Sequence, residues 1–247
     1  MSTGRLADAG IARSSWIPVG ALLVIQALAC TAAGLPTPTA GPPPDPGVIL
    51  QQGVSRLLTL ESVAFDLEQE KGTTTLFPGL EMSKASGLVD IPDRFSIVVE
   101  AELAFPRSFV EIKIVTIGDQ AYITDFLSGE WREVSPDSLP VNFGSIGQTL
   151  ADIIKAVSNP VLAGTERVGG RETHHIKGTI RSEDLNGLIP GAGQGFTVDL
   201  DLWLDRSEHL LVQALIVGRV VPTDIPDARR LLTLNDFDVP VDITAPE

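Results

Sequence analysis

Two periods share this chain. SVAFDLEQE puts Val63, Phe65 and Leu67 on one side and Asp66 and Glu68 on the other, the every-second-residue signature of a half-buried strand. RFSIVVEAEL repeats it, with Phe95, Ile97, Val99, Ala101 and Leu103 against Ser96, Val98, Glu100 and Glu102, and FVEIKIVTIG sets Val110, Ile112 and Ile114 against Glu111 and Lys113. Gly87–Asp90, QAYITD, EWREV and THHIKGTI read as further strands, with turns at Gly118-Asp119 and Ser128-Gly129. In FTVDLDLWLD, Phe196, Val198, Leu200, Leu202 and Leu204 face away from Thr197, Asp199, Asp201, Trp203 and Asp205, so these aspartates are expected on a solvated outer face. LLVQALIVG is apolar on both faces but for Gln213, and LLTLNDFDVPVDI reads as the closing strand. Between the last two lies a loop rich in turn formers, Pro222-Thr223-Asp224, expected to be mobile and near a rim of the sheet.

The helical period is rarer. A first helix over about 47–59 follows Pro46, a favoured entry residue. In NFGSIGQTLADIIKAVSNP, Ile146, Leu150, Ile153, Ile154 and Val157 recur every three or four residues while Asp152 and Lys155 turn away; Asn159-Pro160 ends the helix. SEDLNGLIPG reads as a short helix capped by Ser182. Runs of strands joined by tight turns, without strand–helix alternation, disfavour a doubly wound parallel fold. The expectation is α+β: a large, curved antiparallel sheet with helices against one face. The stripe Ile146–Val157 then faces the strand rows Phe95, Ile97, Val99, Ile112, Ile114 and Leu200, Leu202. Periodicity alone allows these to meet as a solid core or to stand apart around a ligand.

The chain begins differently. Arg5 and Arg13 precede an apolar run from Ile17 to Ala29, shorter than the ~20 residues that span a bilayer and suited to the apolar part of a signal peptide. The run ends at Cys30, the single cysteine of 247 residues, so an internal disulfide is impossible. Ala27-Leu28-Ala29-Cys30 resembles a bacterial lipobox, with Ala27 where leucine is commoner. Cys30 is accordingly expected to carry acyl chains after cleavage; an ordinary cleaved signal and an uncleaved anchor are the alternatives. LPTPTAGPPPDPG, Leu35–Gly47, is too rich in proline for helix or central strand and reads as an extended tether. The expected organisation is a signal peptide over 1–29, lipidated cysteine and tether over 30–46, and one domain over 47–247.

Charge narrows the partners. The formal net charge is −14, and loss of residues 1–29 removes Arg5, Arg13 and Asp8. Such a surface repels nucleic-acid phosphates, and nucleic acid is not an expected partner. It also repels anionic membrane, which makes a covalent anchor the expected means of membrane attachment. No enzyme signature stands out. His174 and His175 are neighbours in a strand and point to opposite faces, His209 lies in a turn, and no third ligand stands at metal-binding spacing. GAGQG over 191–195 lacks the strand before and helix after that a dinucleotide loop needs. Neither cofactor, metal nor catalytic residue is expected.

TERVGGRETHHIKGTI with the helix before it, Gly178-Thr179, and the closing LTLNDFDVPVDITAPE with its Asp236–Pro246 phrase resemble the LppX/LprA/LprF/LprG-like lipoproteins of actinobacteria. The resemblance runs over essentially all of 47–247. It implies a half-barrel, a highly curved antiparallel sheet with helices across its concave face and an apolar cavity between, similar to the LolA/LolB carriers. It further implies an acylated lipid or glycolipid as ligand and a place on the outer face of the bacterial cytoplasmic membrane. An export or transport protein is an implied partner. The cavity-lining candidates are then Phe95, Ile97, Val99, Ile112, Ile114, Ile146, Leu150, Ile153, Ile154, Val157, Leu200 and Leu202, with Cys30 as lipidation site. A structural or signalling envelope lipoprotein without cargo is the alternative.

Overall fold

The structure is a computed structural model; it describes residues 43–139, 145–189 and 191–246. Cys30, the signal segment and all of the tether before residue 43 lie outside the described residues.

Helix α1, Pro46–Leu57, starts where the sequence places it. Asp45 caps it, its carboxylate accepting from the backbone N–H of Gly47 at 2.7 Å and of Val48 at 3.2 Å, and Pro46 needs no partner for a first-turn N–H. The strands follow as β1 (Ser62–Lys71), β2 (Thr74–Phe77), β3 (Leu80–Asp90), β4 (Arg94–Ala104), β5 (Arg107–Ile117), β6 (Gln120–Thr124) and β7 (Trp131–Val134). Then come α2 (Ile146–Lys155), β8 (Ser158–Val168), β9 (Arg171–Arg181), β10 (Thr197–Asp205), β11 (Leu211–Val217) and β12 (Arg229–Asn235).

All twelve strands belong to one sheet of order β7-β6-β5-β4-β3-β1-β12-β11-β10-β9-β8, with β2 paired to β3 off this path. The first meander runs outward from β1 to β7. The chain passes through α2 to the opposite edge, and a second meander runs inward from β8 until β12 pairs antiparallel with β1, Phe65 opposite Leu234 and Gln69 opposite Arg230. That route lays α2 over the apolar face, where Ile146, Leu150, Ile153 and Ile154 are buried. The two helices cross so closely that a Cβ at Gly147 would stand 2.6 Å from the carbonyl oxygen of Leu57.

The expected half-barrel is not what forms. The sheet is a single open antiparallel path with two helices packed beside it, and its terminal strands β7 and β8 do not pair with each other. The physical reason is that alternation fixes which face of each strand is buried and which neighbours pair, but carries no bend. Both ends are also poor partners for closure: β7 has four residues, and β8 shifts register at Ser158/Val161 and Leu162/Gly164.

Several local differences have visible causes. Strand β8 occupies residues read as the helix end and loop, because Asn159 takes a positive φ of 52° and lets the chain enter an edge strand immediately. Strand β12 stops at Asn235 because Asp236 and Asp238 adopt φ of 48° and 56°, left-handed values that leave the sheet. Asp238 then ties the chain end back to the start of the domain. It pairs with Arg56 of α1 and accepts from the Glu61 N–H at 2.8 Å, while the Ser62 hydroxyl donates to the Val239 carbonyl at 2.6 Å. The short segment after β9 is a 3-10 turn, Ser182–Leu185, which Ser182 does not cap. Its buried hydroxyl instead donates to the Gly193 carbonyl at 2.5 Å, closing the 182–193 excursion on itself.

Candidate functional site

Between the sheet and α2 lies an apolar cavity of about 100 Å³. Its floor comes from adjacent strands: Val63, Phe65 and Leu67 of β1, Leu232 and Leu234 of β12, Met82 and Ala85 of β3, Ile97 and Val99 of β4, Ile114 of β5. Its roof is Ile146 and Leu150 of α2 with Leu188 and Ile189 from the excursion after the 3-10 turn. Leu76 of β2 joins them, and inward members of six strands thus present one apolar surface. A second, smaller void of about 20 Å³ lies under the other flank of α2, between Ile153 and Ile154 above and Leu200, Leu202, Leu211, Ala214 and Ile216 below. Leu150 lines both.

Of the residues singled out from sequence, Ile97, Val99, Ile114, Ile146 and Leu150 stand together around the larger void. Ile153, Ile154, Leu200 and Leu202 stand around the smaller one. Phe95 and Ile112 are buried in the core and border neither. Val157 lies beyond the end of α2, where its Cγ1 would be 2.5 Å from a Cβ at Gly178; only glycine lets β9 run beneath it.

One end of the larger cavity is polar, and sequence reasoning passed over it. Gln69, Thr74 and Arg230 line the void there. Arg230, 1 % exposed, pairs through Nη2 with Asp224 Oδ1 at 2.6 Å, and its Nε donates to Thr74 Oγ1 at 3.3 Å. Asp224 is itself buried, its second oxygen accepting from the N–H groups of Val220 at 2.9 Å and Val221 at 3.0 Å. The turn expected at a mobile rim is thus tied into the core by a buried carboxylate. Gln69 Nε2 donates to Thr74 Oγ1 at 3.0 Å. Two polar atoms of this cluster, Arg230 Nη1 and Gln69 Oε1, are buried without a hydrogen-bond partner among the described residues. The sequence did carry a signal: Arg230 continues the inward row of Leu232 and Leu234, and Gln69 that of Val63, Phe65 and Leu67, so each is a polar residue in an apolar register.

The outer face of β8–β10 holds the other cluster of titratable groups. The His175 ring stacks on Trp203 at 4.4 Å between centroids, with Nδ1 2.8 Å from Glu166 and Nε2 2.5 Å from Asp201. Lys177 adds a 2.9 Å ion pair to Asp201. The Trp203 indole N–H donation, followed by the hydrogen bond with His175, holds the carboxyl of the exposed Glu166 below the usual range. Burial pushes the neighbouring His174 down, helped by Arg206 and His209. The expected solvated row of aspartates is corrected here: Asp199 is exposed, but Asp201 is half-buried and Asp205 is buried. The end of β10 is covered on both faces, and Asp205 faces the turn that follows. The carboxylates flank opposite nitrogens of one imidazole and do not converge; no group of three metal-binding side chains occurs among the described residues.

The comparisons with known proteins agree with this geometry. The lipoarabinomannan carrier protein LprG of Mycolicibacterium smegmatis is 23% identical over 220 residues, covering 83% of this chain and 84% of LprG. The crystal structure of LprF from Mycobacterium bovis superposes with a TM-score of 0.64 at 21% identity, covering 83% of this chain and 98% of LprF. That of the Mycobacterium tuberculosis lipoprotein LppX gives 0.56 at 21% identity, covering 81% of this chain and 100% of LppX. These likenesses establish the fold. The model of the LppX_LprAFG lipoproteins matches residues 45–243, from the cap of α1 to the tied-back chain end, and the chain belongs to that family of envelope lipoproteins.

Proposed function

We propose that this lipoprotein holds acyl chains of a lipid or glycolipid between its sheet and α2 and carries or presents them across the cell envelope. It works from the outer face of the cytoplasmic membrane, anchored through Cys30 and the tether over 30–46, and hands its cargo to an export or transport protein. The carrying observation is the apolar void: six strands and two roof segments leave a carbon-lined space inside a domain whose relative LprG is named a lipoarabinomannan carrier. Burial of each CH2 contributes about 0.8 kcal/mol, so such a space retains an acyl chain without charged contacts.

The void is small. About 100 Å³ falls below the ~300–1,000 Å³ of ordinary ligand pockets. A whole acyl chain therefore enters only if a roof element moves. Leu188 and Ile189 are the economical choice, since they belong to a connection rather than to α2 or the sheet. The same small volume favours a second reading, a structural or signalling envelope lipoprotein without cargo.

Native mass spectrometry of the full chain from its own host, with organic extraction, separates the two. Bound lipid in the native protein, lost in Ala85→Leu, supports the carrier. The added carbons fill the void and are expected to raise stability by about 0.5–2 kcal/mol; a melting temperature at or above that of the unaltered protein shows that lipid is lost with the fold intact. A native protein free of lipid, and unable to take up offered phospholipid or glycolipid, favours the second reading.

A further inference from the structure

We infer that Arg230 reads the acyl ester: its free Nη1–H groups donate to the ester carbonyl of a lipid whose chain lies in the larger cavity. This rests on the carrier reading and adds the polar chemistry that reading lacks.

A buried arginine with an unused donor is costly, because nothing repays the water it has lost. Here the cost is built in. Asp224 and Thr74 fix Nη2 and Nε, and Asp224 is held in turn by two backbone N–H groups. The guanidinium is locked at the cavity's polar end with Nη1 left over. Across the β1–β12 pair, directly opposite in register, Gln69 carries the unused acceptor Oε1.

Charge selects among ligands. Asp224 already neutralises Arg230 at 2.6 Å, so a carboxylate or phosphate entering would bring an uncompensated negative charge into an apolar space. A neutral acceptor satisfies Nη1 without that penalty. A neutral donor beside it satisfies Gln69 Oε1. An ester carbonyl with a free hydroxyl nearby provides both, which is the chemistry of a partly acylated glycerol or sugar. The alkyl chain then runs along Phe65, Ile97 and Val99 toward α2.

The test uses the full chain in nanodiscs and three probes: monopalmitoylglycerol, its ether analogue hexadecylglycerol, and palmitate. The ester is expected to bind at least about tenfold more tightly than the ether, the worth of one hydrogen bond to a charged donor, and palmitate no better than the ether. In Arg230→Lys, which keeps a cation for Asp224 but has one nitrogen and none at the Nη1 position, the ester should fall to the level of the ether while the ether is unchanged. Gln69→Leu should weaken ester and ether alike, since both carry the hydroxyls. Equal binding of ester and ether by the unaltered protein, or preferred binding of palmitate, overturns the inference and leaves the carrier reading standing. Failure of all three probes also overturns the inference, and the lipid content of the native protein then decides the carrier reading separately. If Arg230→Lys does not fold, the ester-to-ether ratio of the unaltered protein alone decides.

Discussion

The two flanks of α2 are built alike and end differently. On one, Ile153 and Ile154 meet Leu200, Leu202, Leu211 and Ile216 around a void of about 20 Å³, room for about one water and too apolar to hold it. On the other, Ile146 and Leu150 face Phe65, Ile97, Val99 and Ile114 across about 100 Å³. Both flanks use branched aliphatic residues at correct spacing, and both walls are buried. The difference is what stands opposite. Beneath Ile153 and Ile154 lie Leu200, Leu202, Leu211 and Ile216 with one alanine, Ala214. Beneath Ile146 the floor likewise has one alanine, Ala85, but its polar end at Gln69, Thr74 and Arg230 resists closure because collapse would bury its unpaired groups against carbon. With one alanine in each floor, the polar corner is what sets the larger cavity apart.

The largest expected effect breaks the comparison by charge. Ile154→Glu puts a carboxylate against a void of about 20 Å³ lined only by apolar side chains, and the domain should fail to fold, with loss of more than about 4 kcal/mol. Ile146→Glu places the same group at the first turn of α2, where negative charge is favoured, beside the larger void of about 100 Å³. It should fold, melt several degrees lower and retain no lipid. Circular dichroism and native mass spectrometry read both; equal collapse of the two variants would show that the flanks do not differ.

A milder pair removes carbon instead. Leu202→Ala should cost about 3–5 kcal/mol in urea unfolding, because its tightly packed surroundings relax little. Ile114→Ala should cost about 2 kcal/mol, the low end for such truncations, since one side of Ile114 already faces empty space and lacks dispersion partners there. Costs in the reverse order would mean that the larger void is filled in solution.

The sequence made the dense flank and the floor strands readable, because Phe95, Ile97 and Val99 or Leu200 and Leu202 alternate without interruption. Strand β8 was hidden by Asn159-Pro160, which imitates a helix terminator, and β2 by TTLF, in which two polar residues precede two apolar ones without alternation. The half-barrel came from the resemblance, and the open sheet corrects it; the strands' own rows of inward residues say nothing about bend. The polar corner was legible in principle. Arg230 interrupts the inward row of β12, but a charged residue next to Arg229 at a strand end reads first as solvated surface, and its partner Asp224 sits in what looks like an ordinary turn. Nothing local announces that the two will be buried together.

The smallest expected effect concerns acid and which flank yields first. Asp205 closes the turn between β10 and β11, on the dense side. Burial by itself would raise its pKa. The N–H groups of Glu208 at 2.6 Å and Ser207 at 2.8 Å, the Ser207 hydroxyl at 2.7 Å and the Arg171 charge outweigh that and hold the carboxyl below its ordinary value. A carboxylate depressed in the native state stabilises it above the unfolded value of about 3.9, and that contribution is lost as pH falls through the native value. Stability should therefore decline below about pH 4, and hydrogen exchange should show β10 and β11 losing protection before β3 and β4. Asp205→Asn should cost about 1–2 kcal/mol at pH 7, by exchanging a charged acceptor for a weaker one. The gap between variant and unaltered protein should narrow as the pH drops below 4. If β3 and β4 open first, the void and not the turn is the weak point, and the denser flank is the firmer one at every pH.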